Sequence, residues 1–433
     1  MVNLDIPKGT RDFLPKEKII RQKIVDVFRE TFEEFGYNPL ETPSLELLKV
    51  ATYKGGTQAG TDTYKEIYKL KDQAKRKLSL RYELTFPLAR VVSMYKQLPI
   101  PFKRYQIGRT WRDGPIKTGR YREFWQCDVD IVGTDSIEAD AEILALYTKV
   151  FEKLKLKVVI KISNRKLLDG ILEFAGVPKN KKDAAMISID KLEKIGRDAV
   201  LDDAKERGLD EDSMIKALDM LEQEGSNSEI IKNLSKFVSN EKAKEGLEEI
   251  KELLKLAKNF GAKNVEFVPS LARGLSYYTG PVFEVFLKSR KLKSSLAAGG
   301  RWDDMIGNFS GSKEKIPATG TSFGLDTIYD ALILEKKADL KTSLVQVYVI
   351  PVGNTRKEAA KVASELRESG INTDLDLVVR GISKNLTYVN KQDIPYVIFI
   401  GEKELKQKKI KLRDMKTGKE KLITIKQVIK ELS

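Results

Sequence analysis

The chain has 433 residues, with 78 Lys or Arg against 63 Asp or Glu, a formal net charge of +15, one cysteine and no histidine. That length supports two or three domains with their own cores, and the positive excess points to a polyanionic partner, because Lys and Arg contacts to phosphates supply most non-specific nucleic-acid affinity. The missing histidines exclude Ser/His/Asp and Cys/His nucleophile systems, imidazole metal sites and the usual neutral-pH base, and the lone Cys127 excludes an internal disulfide.

Residues 16–35 are predicted to form a helix, with Ile20, Ile24, Val27, Phe28, Phe32 and Phe35 near one face and Gly36 as its stop. Residues 37–48 extend, and Pro43 marks an edge strand or a kink because proline cannot donate in a ladder. The Gly/Thr-rich stretch 53–62 reads as a loop able to act as a lid. From 78 to 85 the pattern alternates, with Leu78, Leu80 and Tyr82 on one face and Ser79, Arg81, Glu83 and Thr85 on the other. Thr85 is placed to cap a following helix that has Pro87 in its first turn, which leaves Glu83 without a structural reason.

The stretch 109–133, RTWRDGPIKTGRYREFWQCDVDIVG, predicts two antiparallel strands, the first ending near Arg112 and the second covering 120–132. Alternation sets Tyr121, Trp125, Cys127, Val129 and Ile131 on one face and Arg120, Arg122, Gln126, Asp128 and Asp130 on the other. A solvent-facing strand would alternate too. This polar row, however, carries both signs and an amide opposite Arg112. Such a set can bind a zwitterion and a polyphosphate together, guanidinium forks matching phosphate oxygens and carboxylates matching ammonium or ring N–H donors.

A helix over 136–154 and a strand over 158–163 follow, and 164–260 turns into Lys/Glu/Asp-rich helical segments that read as an inserted helical subdomain without a catalytic constellation. Strand pattern returns at Val265 and leads into LARGLSYYTGPVFEVFL, 271–287. There Arg273 introduces a strand whose Tyr277 and Tyr278 fall on opposite faces, one ring to pack and one to line a pocket. The glycines of AAGGRWDDM, 297–305, allow close backbone approach, and 318–332 is a glycine-punctuated strand running into a helix. After a charged linker at 335–342, strands and helices alternate through 343–433, as in a small parallel or mixed α/β domain.

Taken together, PKGTRDFLP, LRYELT, GRYREFWQCDVDIVG, LARGLSYYTG and GGRWDD resemble the histidyl-tRNA synthetases, class II aminoacyl-tRNA synthetases, in their archaeal and eukaryotic form. The resemblance covers almost the whole chain. It implies an α+β fold with a six-stranded antiparallel catalytic sheet over 1–163 and 261–334, a helical insertion over 164–260 and an α/β anticodon-binding domain over 343–433. It implies ATP-dependent ligation of L-histidine to tRNA(His) through histidyl-adenylate by a cytoplasmic homodimer that carries no membrane segment.

By position, the resemblance implies that Glu83 and Gln126 bind the α-amino group of histidine, that Thr85 helps hold it, and that Asp130 with Tyr278 binds the imidazole beside Tyr277. Arg112 and Arg273 would be the catalytic cations at the ATP α-phosphate, with Arg120 completing the ATP set. Mg2+ would enter with ATP, with no protein-held structural metal. Two departures stand out. The loop after Arg112 is short, and Thr327 occupies the third-motif position where class II enzymes carry an arginine for the γ-phosphate; Arg301 is the candidate substitute. The rival reading is a non-catalytic, synthetase-like histidine sensor or regulatory subunit. Thr327 favours that reading, while Glu83, Arg112, Arg273 and the tyrosine pair favour the enzyme.

Overall fold

Alternating side chains over two ten-residue strands build the hairpin around which the larger part of the chain is laid out. The structure, a computed structural model, describes residues 4–52, 62–116, 120–273, 277–311, 314–339 and 341–432; the predicted lid at 53–62 lies, but for Asp62, outside them. The chain divides into two units, one of Met1–Arg11 with Ile24–Ala338 and one of Asp12–Lys23 with Asp339–Ser433. Strands of the first unit are, in chain order, β1 (Asn38–Pro39), β2 (Leu45–Leu47), β3 (Lys69–Lys71), β4 (Lys77–Leu80), β5 (Phe102–Trp111), β6 (Glu123–Val132), β7 (Val158–Asn164), β8 (Val265–Phe267), β9 (Pro281–Leu287), β10 (Ala297–Arg301) and β11 (Ala318–Gly324).

Eight of them form one sheet in the order β1-β5-β6-β11-β10-β9-β7-β8. The six inner strands are antiparallel throughout, as expected, and short parallel strands, β1 on β5 and β8 on β7, close the two edges. Odd-numbered residues of β6 and β11 turn to one face, where Cys127, Val129, Ile131 and Phe323 are buried. The helix Pro15–Glu34 presents Ile24, Phe28 and Phe32 to that face at four-residue spacing, and Tyr147 and Phe151 of the helix Ile137–Lys153 meet Phe323 edge-on or tilted at 5.4 and 6.1 Å. Even-numbered residues face the other way. One end of that face is filled by a cluster containing Val132, Val282, Ala318, Trp302 and Met305, with Phe86 and Leu88 from the helix Thr85–Met94.

The sequence expectations are corrected at three points here. The strand read over 78–85 is β4 alone and ends at Leu80, because the chain turns there to start the helix Thr85–Met94. Pro43 lies between β1 and β2, in neither. The second strand of the hairpin starts at Glu123, with Arg120 held only by an isolated bridge. The helices expected over 164–260 are present, from Arg165–Phe174 to Glu241–Asn259, several with a side chain on the first free N–H groups: Asn164, Asp210, Asn240, and Ser226 in a capping box with Glu229. Contacts hold them within the first unit.

The second unit carries β12 (Val347–Val352), β13 (Thr373–Leu375), β14 (Tyr396–Gly401), β15 (Ile410–Asp414) and β16 (Glu420–Ile423), in the order β13-β12-β14-β15-β16. The first three are parallel and the last two antiparallel, so the sheet is mixed. Apolar clusters cover both of its faces, one with the helices Arg356–Glu368 and Ile425–Leu432 and one with Ile382–Lys391. No helix among the described residues is long and apolar enough to cross a membrane.

Candidate active site

The even-numbered face of the large sheet carries the chemistry. Register sets Arg104, Asp130 and Gly320 in one row across β5, β6 and β11, Gln106, Asp128 and Ser322 in the next, and Gly108, Gln126 and Gly324 in the third. Side chains of neighbouring strands in such rows stand close enough to interact directly. A cavity of about 160 Å3 opens over the grid, lined by Gln126, Asp128, Asp130 and Ser322 from the strands, Glu83 and Thr85 from the head of the helix Thr85–Met94, and Arg112, Arg273, Tyr277 and Tyr278. Protein cavities of this size hold a single aromatic ring.

Glycine makes the room. A Cβ at position 320 would lie 1.9 Å from Asp130 Oδ1, and one at 300 would meet the Tyr278 ring at 2.9 Å, so both side chains occupy space that only glycine leaves. That is the use of the glycines noted in AAGG and ATG.

Beneath the cavity Arg104 is fully buried and pairs with Asp130, Nη2 to Oδ2, at 2.6 Å; the same Nη2 also reaches the Leu84 carbonyl at 3.4 Å. Burial pushes the Asp130 carboxyl up to about 6, against the pull of Arg104. Burial likewise pushes Asp128 up to about 7, Arg104 opposing and Asp130 adding. Glu83 is raised by burial too, held back by N–H donors of the helix start. Gln126 donates from Nε2 to Ser322 Oγ at 3.0 Å, and Ser322 bonds Asp128. Among the described residues no protein donor reaches Gln126 Oε1 or Asp128 Oδ1.

Two arginines face these acceptors. Arg112 is clasped between aromatic rings, its guanidinium carbon 4.2 Å from the Tyr82 centroid and 5.0 Å from that of Phe124, with Nε donating to the Tyr82 carbonyl at 3.3 Å. Arg273 is fixed by an ion pair to Glu284 of β9. The site therefore sets acceptors for N–H groups beside two oriented cations, a match for a ligand that is cationic at one end and approaches phosphate or carboxylate at the other.

Of the residues singled out in the sequence, Glu83, Thr85, Arg112, Gln126, Asp130, Arg273, Tyr277 and Tyr278 converge on this cavity. Arg120 does not; it is exposed, and Arg122 pairs with Asp113 outside the lining. Tyr277 and Tyr278 do not alternate across a strand. Both precede β9, their ring centroids are 4.7 Å apart, and both line the cavity. Capping also falls differently. Thr85 is the first helical residue, and it is Glu83 Oε1 that accepts the Phe86 N–H, at 2.5 Å, so Glu83 does have a structural role.

Arg301 is not available to a phosphate. It is buried against Asp140, with Nε at 3.0 Å, and its remaining nitrogens donate to Asp140 and to the carbonyls of Thr134 and Ser136. Thr327 Oγ1 donates to the Gly324 carbonyl at 3.2 Å and closes the first turn of its helix. The cation brought to that helix is Arg11, 3.2 Å from Asp326 and 4.3 Å from the centroid of Tyr121, and Asp326 also accepts the Trp125 N–H at 3.2 Å. Sequence reading missed Arg104, Ser322 and Arg11. Arg104 was findable, because period-2 spacing back from Arg112 passes through Gln106 and Arg104 and lays them opposite the polar row of β6.

The family model described as histidyl-tRNA synthetase matches residues 9–328, and one described as anticodon binding domain matches 346–433. The chain is 42% identical over 429 residues to histidine–tRNA ligase 1 of Bacillus cereus, with 97% of each chain covered. It is 37% identical over 441 residues to the histidine–tRNA ligase of Clostridium tetani, with 99% of this chain and 98% of that one covered. The crystal structure of histidyl-tRNA synthetase from Nostoc sp. PCC 7120 superposes with a TM-score of 0.88 at 29% identity, over 100% of this chain and 99% of that one. A structure titled as an ATP phosphoribosyltransferase regulatory subunit/histidyl-tRNA synthetase from Bacillus halodurans shares the fold, with a TM-score of 0.75 at 24% identity over 92% and 98% of the two chains.

Proposed function

The chain belongs to the histidyl-tRNA synthetase family, and from that premise we propose that the cavity over β6 is where it activates L-histidine with ATP before transfer to tRNA. The reaction has two steps. The histidine carboxylate attacks the α-phosphorus of ATP, pyrophosphate leaves, and histidyl-adenylate results; a ribose hydroxyl at the tRNA terminus then attacks the acyl carbon and AMP leaves. Neither step needs a histidine side chain on the protein.

The observation that carries the reading is the shared lining of Glu83, Gln126 and Asp130 with Arg112 and Arg273. Glu83 and Gln126 take the α-ammonium with help from Thr85, and Asp130 with Tyr278 takes the ring, Tyr277 closing its side. Arg112 and Arg273 stand at the α-phosphate. There they stabilise the charge that develops as the P–O bond to pyrophosphate lengthens, a contribution of roughly 10²–10³ in rate per preorganised donor. Mg2+ travels as the ATP complex, on the phosphate oxygens. Arg120, which is exposed, completes the ATP set in this reading.

The second unit is the anticodon-binding part, and its 18 basic against 11 acidic residues over 343–433 suit an RNA partner. We place the reaction in the cytoplasm. The chain works as a homodimer, for which the support is the small sheet β2-β4-β3: Leu45, Leu47 and Leu70 are exposed and stand beside Leu78 and Leu80 on one face. A leucine face of this kind on a free monomer is a liability that a second copy removes. Sedimentation as a single 49.0 kDa species would overturn that part.

The deciding experiment is histidine-dependent exchange of pyrophosphate into ATP, with the other amino acids as controls. Exchange with histidine alone is expected. Histidine binding by calorimetry without exchange would establish the sensor reading instead.

A further inference from the structure

The roles above leave one buried group of the cavity without work. Asp128 stands between Gln126 and Asp130 on the pocket face of β6, about 3% exposed, and its Oδ1 meets no protein donor among the described residues. Leaving a buried acceptor unmatched costs about 1–3 kcal/mol, more when it is charged. The neighbouring Asp130 has Arg104 at 2.6 Å; Asp128 has the Ser322 hydroxyl and, among the described residues, no ion pair. The groups that face it are Arg104 from β5, Arg81 from the end of β4, Glu83 from the helix head, Asp130 from its own strand and, on β11, only the uncharged Ser322.

Three carboxylates, Glu83, Asp128 and Asp130, share this cavity with Arg104 beneath them, while Arg112 and Arg273, which also line it, are assigned above to the phosphate end of the ligand. Where Asp128 and Asp130 stand side by side, Arg104 pairs with Asp130, and the Oδ1 of Asp128 is left for a donor on the ligand. The α-ammonium is taken at Glu83. Neutral imidazole donates from one ring nitrogen only, whereas imidazolium donates from both. Resting on the reading of this cavity as the histidine site, we propose that Asp128 is a second ring-binding carboxylate: it accepts the ring N–H that Asp130 does not take, so that histidine is held as imidazolium. The sheet register supports this, since Asp128 and Asp130 are next neighbours on one face and their carboxylates can bracket a five-membered ring. Burial that pushes the Asp128 carboxyl up to about 7 in the free protein fits the same picture, a site waiting for a positive partner.

A purely structural aspartate would leave proton uptake unaffected, and that separates the two. L-Histidine binding is measured by calorimetry from pH 6 to pH 8.5 in two buffers of different ionisation enthalpy, on the full chain and on Asp128→Asn. For the unaltered protein the dissociation constant is expected to rise about tenfold per pH unit above roughly pH 7, with close to one proton taken up per histidine at pH 8. Asp128→Asn should bind with no such uptake; the α-amino group titrates equally in both, so the difference isolates the ring. Equal uptake in the two proteins, or none in the unaltered one, overturns the proposal. The second of those outcomes decides the matter even if the variant does not fold. A chain that neither binds histidine nor exchanges pyrophosphate with it would instead sink the functional reading beneath.

Discussion

The two large sheets use the same backbone chemistry to opposite ends. In the second unit β12 and β14 read VYVIPV and YVIFIG, continuous apolar runs, because helices cover both faces and every position is needed for packing. In the first, β6 reads EFWQCDVDIV: Cys127, Val129 and Ile131 face helices, and Gln126, Asp128 and Asp130 face a cavity. One sheet spends both faces on stability; the other gives one to carboxylates whose burial works against it. Function and stability are therefore expected to respond to different residues in the two units.

The largest effect should come from a cation proposed to meet the α-phosphate. Arg273→Ala removes a fixed charge that Glu284 holds in place, and single-turnover adenylate formation should fall by roughly 10²–10³ while histidine affinity changes little. Unchanged turnover would refute its role and blur the contrast, since Arg273 would then be only a partner for Glu284.

The opposite case lies in the second sheet. Ile398 is fully buried in β14, and Ile398→Ala should cost about 2–5 kcal/mol by chemical denaturation of that unit. Histidine-dependent pyrophosphate exchange, which we assign to the first unit, should persist while tRNA charging falls. Parallel loss of both activities would mean that the units do not divide the work as drawn.

How much of this was legible beforehand follows the same division. The alternation of strands and helices in the second unit can be read from sequence, because apolar runs and glycine stops carry local information. So can the polar row of β6, from alternation alone. Tyr277 and Tyr278 were misplaced because strand periodicity was extended through residues that precede β9. Glu83 is given no structural role from sequence because a carboxylate two residues before a helix is not an obvious cap, and Arg301 is a candidate for ATP because nothing near it in sequence announces Asp140, 161 residues away. Contacts of that kind are set by sheet register and packing, which no local pattern encodes.

The smallest effect tests the claim that the pocket carboxylates oppose folding. Unfolded, Asp128 and Asp130 titrate near 3.8; folded and without ligand, they are pushed up to about 7 and about 6. Below pH 4 both states are protonated and the groups cost nothing. Between pH 4 and 7 the unfolded chain has released protons that the fold still holds, so stability falls as pH rises, by about 1.4 kcal/mol per pH unit for each such proton at most. Asp203, on the surface of the helical segment with Arg207 and Lys191, has the reverse sign: its carboxyl is held below the ordinary range by those hydrogen-bonded cations, so its contribution grows with pH. Thermal melts of the ligand-free protein and of Asp128→Asn between pH 5 and 7.5 separate the two. The variant should match or trail the parent near pH 5 and gain on it by up to about 3 kcal/mol toward pH 7.5. Saturating histidine should close that gap by bringing Asp128 a positive partner; a difference that ignores pH would mean that Asp128 is already ionised in the fold at pH 5 and that its burial raises the carboxyl little.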